Sequence, residues 1–282
     1  EILQQITKEA LKESGIKLNE VDLFSATCGP GLIGGLLIGS TFTKSLSIGN
    51  NKPFIPINHL EAHILSSFYN NEVKFPHLSL LITGGHTEIY FLKNYNDIKL
   101  IGETIDDAIG EAFDKVAKIL GLSYPGGPEI EKKALEGNEN SFKLPLPLIN
   151  EDNFNFSFSG LKTSVNLIAK KNIINKSFIK DMSASFQKCV ATILTFKLNK
   201  VIRELYKTNS KGLSVSVVGG VANNDYLKKY FKNIEQKETI EFIYPPKQMM
   251  NDNAAMIAWA TILKHRHNHD LNFKPNPRLT VK

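Results

Sequence analysis

Two histidines four residues apart, in Asn58-His-Leu-Glu-Ala-His63, are the residues whose type and spacing first suggest chemistry. On a helix, His59 and His63 share one face a turn apart, a spacing suited to gripping one metal ion. Pairs of surface histidines that hold nothing also show this spacing. A third donor has to come from elsewhere in the chain. Asp252, in Asn251-Asp-Asn-Ala-Ala-Met-Ile-Ala-Trp-Ala260, stands at the start of an apolar helical run and reads either as an N-terminal cap or as a ligand. A protease of the His-Glu-x-x-His kind has its general base directly after the first histidine. Here Glu61 lies two positions on, about 200° around the helix. It points away from anything the two imidazoles hold, which disfavours that reading.

Two glycine turns offer a different chemistry. Thr83-Gly-Gly-His-Thr87 follows the apolar run 78–82, and Gly219-Gly-Val-Ala-Asn-Asn224 follows the run 213–218. Glycines let the backbone approach a phosphate or ribose, and successive N–H groups can cradle an anion. Neither turn is a Walker loop, because no Gly-Lys-Ser/Thr follows. Their likeness fits either an internal duplication or two instances of a common strand-then-glycine turn. Between them, residues 104–120 are expected to form a helix capped by Thr104, with Ile105, Ala108, Ile109, Ala112, Val116 and Leu120 on its apolar stripe. Asp107, Glu111 and Asp114 line up on that helix, as a solvated face or as partners for ribose hydroxyls beside Pro125-Gly-Gly-Pro128. That Pro-Gly-Gly-Pro segment is expected to be a loop, and 144–147 a stiff connector.

The elements that must position these residues alternate between strands and helices, so the class is α/β. Helices are expected over about 2–14, 33–48 and 60–68, with strands over 23–28 and 53–57. The 282 residues are 42% hydrophobic and 22% charged, ordinary for a globular protein. No apolar run approaches the ~18 residues that span a bilayer, and the first residues carry no secretory signal. Two distant cysteines, Cys28 and Cys189, form no disulfide framework and fit a reducing cytoplasm. A net charge of +6 and a pI near 9.1 suit a polyanion such as tRNA, or simply a lysine-rich solvated face. Position 1 is Glu and the opening residues already show helical spacing, so the chain reads as lacking a front segment.

Eight segments, in order, resemble the tRNA N6-adenosine threonylcarbamoyltransferases, earlier known as O-sialoglycoprotein endopeptidases. They are Gly29-Pro-Gly-Leu-Ile-Gly-Gly, Asn58-His-Leu-Glu-Ala-His, Thr83-Gly-Gly-His-Thr, Gly102-Glu-Thr-Ile-Asp-Asp-Ala-Ile-Gly-Glu-Ala-Phe-Asp-Lys, Tyr124-Pro-Gly-Gly-Pro, Asn155-Phe-Ser-Phe-Ser-Gly-Leu-Lys-Thr, Gly219-Gly-Val-Ala-Asn-Asn and Asp252-Asn-Ala-Ala-Met-Ile-Ala. The resemblance implies an actin-like, sugar-kinase-like (ASKHA) fold of duplicated α/β units in two lobes. They are expected here as residues 1–75, carrying the histidine pair, and 76–282, carrying the nucleotide loops, with the last helix packing back. It implies a metal, iron with zinc as the alternative, on His59, His63 and Asp252. It places nucleotide contacts at Leu81, Ile82, Thr83, Gly84, Gly85, Asp114, Gly127 and Asn224. Glu131 joins them, although many relatives have Asp there. In the Asn224 loop, Asn223 has no counterpart in the usual Val-Ser-Ala-Asn.

The implied reaction transfers threonylcarbamoyl from threonylcarbamoyl-AMP to N6 of adenosine 37 in tRNAs reading codons that begin with A, releasing AMP. The implied partners are tRNA, an inactive paralogue of the same fold and a small P-loop ATPase, in the cytoplasm. The family opens with strands around Ile-Glu-Thr-Ser-Cys-Asp-Glu-Thr that are not in this sequence, so the chain alone is expected to be unstable or inactive. Two rival readings are a metalloprotease, disfavoured by Glu61, and a non-catalytic scaffold, disfavoured in its paralogue form by the histidine pair.

Overall fold

A computed structural model describes residues 2–208, 214–238, 240–264 and 269–281. The chain divides into two compact units, Glu1–Ser66 with Asn253–Lys282, and Ser67–Asp252. The first unit begins with α1 (Ile2–Ser14), β1 (Phe24–Gly29), α2 (Ile33–Gly49), β2 (Phe54–Asn58) and α3 (His59–Ser66). The second holds β3 (His77–Ile82), β4 (Thr87–Asn94), β5 (Asp97–Glu103), α4 (Ile109–Ile119), α5 (Gly126–Ala134), α6 (Ser159–Lys170), α7 (Lys176–Thr208), β6 (Ser214–Val218), α8 (Asp225–Glu238), β7 (Phe242–Ile243) and α9 (Lys247–Met250). Helix α10 (Ala254–Lys264) then returns to the first unit.

In the first unit β1 and β2 pair in parallel, from Phe24 opposite Phe54 to Thr27 opposite Ile57. Ala26, Cys28 and Phe54 form a small core with Leu271 and Phe273 from the end of the chain. That final segment is a strap. The Asn276 N–H donates to Cys28 O (2.8 Å), the Gly31 N–H to Pro277 O (3.2 Å) and the Asp270 N–H to Phe54 O (3.1 Å). His269 Nδ1 accepts from the Phe54 N–H at 2.9 Å. Gly29 is required beneath it: φ is +147°, and a Cβ would stand 2.0 Å from Asn276 O.

The second unit is built on a five-stranded sheet in the order β5-β4-β3-β6-β7. β3 pairs antiparallel with β4 and parallel with β6, and every residue of β3 is buried. A strand buried on both faces reads as a continuous apolar run, as in Leu80-Leu-Ile82. Phe113 of α4 meets Phe186 of α7 edge-to-face at 5.1 Å within that core. The two look-alike segments are thus neighbouring parallel strands of one sheet in one unit. Their glycine turns leave from the same end and abut, and a Cβ on Gly219 (φ +96°) would lie 2.5 Å from Ile82 O.

Two local expectations are corrected. The helix expected from Thr104 starts at Ile109, and Ile105 is exposed rather than on the apolar stripe. Residues 104–108 are held outside the helix because Thr104 bridges to Phe156 and the Asp106 carboxylate is engaged by residues 157–159. The Pro125-Gly-Gly-Pro128 segment is not a loop: Pro125 is the N-cap of α5 and both glycines begin the helix. Gly126 is required there, since a Cβ would sit 2.6 Å from the Ala117 Cβ on α4.

Candidate metal centre and nucleotide cavity

Asn58 starts the helix that carries the histidine pair. Its Oδ1 accepts from the backbone N–H groups of Leu60 (2.8 Å) and Glu61 (3.2 Å), an N-cap worth about 1 kcal/mol. Its Nδ2 donates to Thr280 O at 3.0 Å, tying the cap to the strap. His63 is buried and His59 half-buried, with ring centroids 4.8 Å apart at 82°. Glu61 pairs with Lys264 of α10 at 2.5 Å, both side chains about nine-tenths buried. It has a structural partner and is not placed as a general base. Trp259 Nε1 donates to Leu65 O at 3.1 Å and fastens the same two helices.

At the start of α10 the cap is Asn253, whose Oδ1 accepts from the Met256 N–H at 2.8 Å. Asp252 therefore stands one residue ahead of the cap. One donor atom each from His59, His63 and Asp252 all lie within 4.8 Å of one another. Bonds of about 2 Å put donors on a single ion up to about 4 Å apart, which is the scale of this group. Two imidazoles and a carboxylate suit a borderline divalent metal such as Fe(II) or Zn(II), whereas Mg(II) and Ca(II) favour oxygen.

In the second unit a cavity of about 390 Å³ is walled by residues from separate stretches, among them Gly84, Asp114, Tyr124, Gly127, Glu131 and Asn224. Five of the expected nucleotide contacts meet there: Gly84, Asp114, Gly127, Glu131 and Asn224. Leu81 and Ile82 are wholly buried strand residues, while Thr83 and Gly85 complete the turn without walling the cavity. Thr83 Oγ1 accepts from the N–H groups of Gly85 (3.3 Å) and His86 (3.0 Å), so those donors are spent within the turn.

Each acidic wall residue also braces the wall. Asp114 Oδ1 accepts from Gly126 N–H, and Glu131 Oε1 from Asp225 N–H, both at 2.7 Å. These are the first N–H groups of α5 and α8, where the helix dipole favours a carboxylate. One oxygen of each remains for a ligand's hydroxyls. Asn224 caps α8 through Leu227 N–H at 2.9 Å and donates to Gln187 Oε1 at 3.0 Å.

Sequence reasoning missed several wall residues: Gly110, Phe113, Tyr124, Val221, Asn223 and Asn251. Asn223 gains a place here without an explanation for its variation. The signal for Tyr124 was its position directly before the Pro-Gly-Gly-Pro segment. Asp106 was also missed. Burial works to raise its pKa, but hydrogen bonds from Ser157 Oγ, Phe158 N–H and both Ser159 donors hold it below the usual carboxylate range. It thereby anchors the Phe-Ser-Phe-Ser segment and the start of α6.

The fold is of the ASKHA type. The chain matches full-length HypF, solved in a phosphate- and nucleotide-bound form, with a TM-score of 0.65 at 14% identity, over 94% of this chain and 42% of that one. Component A of the (R)-2-hydroxyglutaryl-CoA dehydratase of Acidaminococcus fermentans matches 91% of this chain and 80% of its own at 15% identity, with a TM-score of 0.50. A family model described as tRNA N6-adenosine threonylcarbamoyltransferase matches residues 1–259. Enzymes of that description from Rickettsia rickettsii (strain Sheila Smith) and Rickettsia bellii (strain OSU 85-389) are each 44% identical over 99% of this chain and 83% of their own length. The chain belongs to the tRNA N6-adenosine threonylcarbamoyltransferase family. It is a transferase that modifies an adenosine of tRNA.

Proposed function

We propose that the cavity of the second unit holds the adenylate part of threonylcarbamoyl-AMP, and that His59, His63 and Asp252 hold one divalent metal, iron in preference to zinc. The acceptor is N6 of adenosine 37 in tRNAs that read codons beginning with A. The observation that carries this reading is the gathering of Gly84, Asp114, Gly127, Glu131 and Asn224 around one nucleotide-sized cavity. Gly84 offers bare backbone to phosphate, and Asp114 and Glu131 offer carboxylate oxygens to ribose hydroxyls.

The donor is a mixed anhydride, so its carbonyl is already activated. As N6 bonds to the carbamoyl carbon and gives up one proton to water, the bond from that carbon to the phosphate oxygen breaks and AMP leaves with the electron pair. No protein nucleophile is needed. A metal on the three donors, when bound, supplies positive charge for oxygens that gain negative charge. The chain's own residues bind and orient the donor molecule, which is where much of the rate is gained.

The remaining partners are an inactive paralogue and a small P-loop ATPase, in the cytoplasm. Among the described residues no helix is long and apolar enough to cross a membrane.

The test supplies the chain with tRNA, threonine, bicarbonate, ATP, an adenylate-forming enzyme and the bacterial partners, and reads nucleosides by mass spectrometry. Run on the chain as given and on the chain joined to the opening strands of a relative, the assay is expected to yield threonylcarbamoyladenosine in the joined form, where His59→Ala is expected to reduce both that yield and the metal bound per chain. Full transfer by His59→Ala would remove the metal from the reading.

A further inference from the structure

We infer that Tyr124 is the stacking surface for the purine ring in the second unit's cavity and sets its preference for a purine nucleotide. The inference rests on the reading of that cavity as a nucleotide site. Tyr124 is 85% exposed, yet it lies in the cavity wall. Single exposed apolar side chains are ordinary on a protein surface. Of the large exposed apolar residues described, however, Tyr124 is the one that walls this cavity.

Its surroundings fit a flat apolar ligand face. Pro125, Gly127 and Pro128 beside it in the wall carry no polar side-chain atoms. The Asp114 and Glu131 carboxylates are available to ribose hydroxyls and the Gly84 backbone to phosphate, which leaves the Tyr124 side to the base. Tyr124 also borders a second recess of about 300 Å³ with Leu122 and Ser123, so the ring is not packed into the core. The backbone next to it is fixed, because Gly126 N–H is bonded to Asp114 Oδ1 at 2.7 Å. An aromatic ring on a rigid base, uncovered until a ligand arrives, is the arrangement that stacks nucleobases, and purines offer it the larger face.

The test is calorimetric titration of the whole chain with AMP and with UMP. Tyr124→Ala is expected to weaken AMP about tenfold and UMP much less, with Tyr124→Phe within about twofold of wild type. Gly127→Leu is the control for the cavity: a Cβ at Gly127 meets nothing within 4 Å, so a larger side chain fills the cavity without disturbing the fold. If Gly127→Leu abolishes AMP binding while Tyr124→Ala leaves it unchanged, stacking is wrong and the cavity stands. Equal weakening of AMP and UMP by Tyr124→Ala also overturns the purine preference. If the wild type fails to bind AMP, or Gly127→Leu has no effect, the cavity reading falls and the inference falls with it. Matching thermal unfolding of the Tyr124 variants and wild type is expected, since so exposed a ring contributes little to packing.

Discussion

At Gly110 an added methyl group would lie 2.7 Å from the Gly84 Cα and 2.8 Å from Thr83 O. Both obstacles are backbone, so neither can swing aside. Gly110→Ala is expected to cost about 2 kcal/mol in urea unfolding and to weaken AMP binding, because the turn that must yield carries Gly84. Buried His77 gives a second test. Its ring bridges the Ser214 (2.7 Å) and Ser216 (2.8 Å) hydroxyls across β3 and β6, and burial pushes its pKa down to about 3. The folded state therefore keeps this imidazole neutral, while the unfolded chain protonates it near the ordinary value of 6.5. Its contribution is whole above about pH 6.5 and drains away as the pH falls toward 3. Compared with His77→Gln, the wild-type melting temperature is expected to drop by roughly 3–5 °C for each pH unit below 6.5. A flat difference between the two would show that His77 is protonated in the fold.

Helices α3 and α10 are joined by a nearly dry ion pair, Glu61 with Lys264, and by Trp259 to Leu65 O. Removing one partner of such a pair leaves the other buried charge less well compensated. Lys264→Met is thus expected to cost about 3 kcal/mol in denaturant unfolding, with much of it recovered in Glu61→Gln/Lys264→Met. Equal losses in the single and double variants would show that packing, and not uncompensated charge, is at stake. Element by element, much of this was legible in the sequence. The strands before the glycine turns and the long helix after Gly31 follow from apolar runs and spacing, and Glu61's direction follows from the helical period. The late start of α4 was not legible, because a carboxylate about fifty positions from its partners decides it: Asp106 is claimed by Ser157, Phe158 and Ser159. Nor was the helix within Pro-Gly-Gly-Pro, where Asp114 stabilises a start that local propensity disfavours. That Asn253 rather than Asp252 caps α10 was not legible either, because the two neighbours are equally good cap residues.

For the whole molecule, the net charge of +6 bears on how RNA is held. If lysines grip the tRNA backbone, raising salt from 50 to 200 mM is expected to weaken tRNA binding about tenfold or more, while leaving AMP binding nearly unchanged. A tRNA affinity insensitive to salt would mean that shape and base contacts dominate. The strap that lies along β1 and β2 bears on something else, the order in which the molecule can be made. The second unit is one uninterrupted stretch, Ser67–Asp252, whereas the first unit needs residues from both ends of the chain. During translation, Phe54 and its neighbours leave the ribosome before the second unit, whereas Leu271, Phe273 and the hydrogen-bonding partners of Cys28 and Gly31 follow after it. A chain cut after Asp252 is expected to resist protease across the second unit and to be cut within the first. The first unit is thus completed only after the whole of the second has been made.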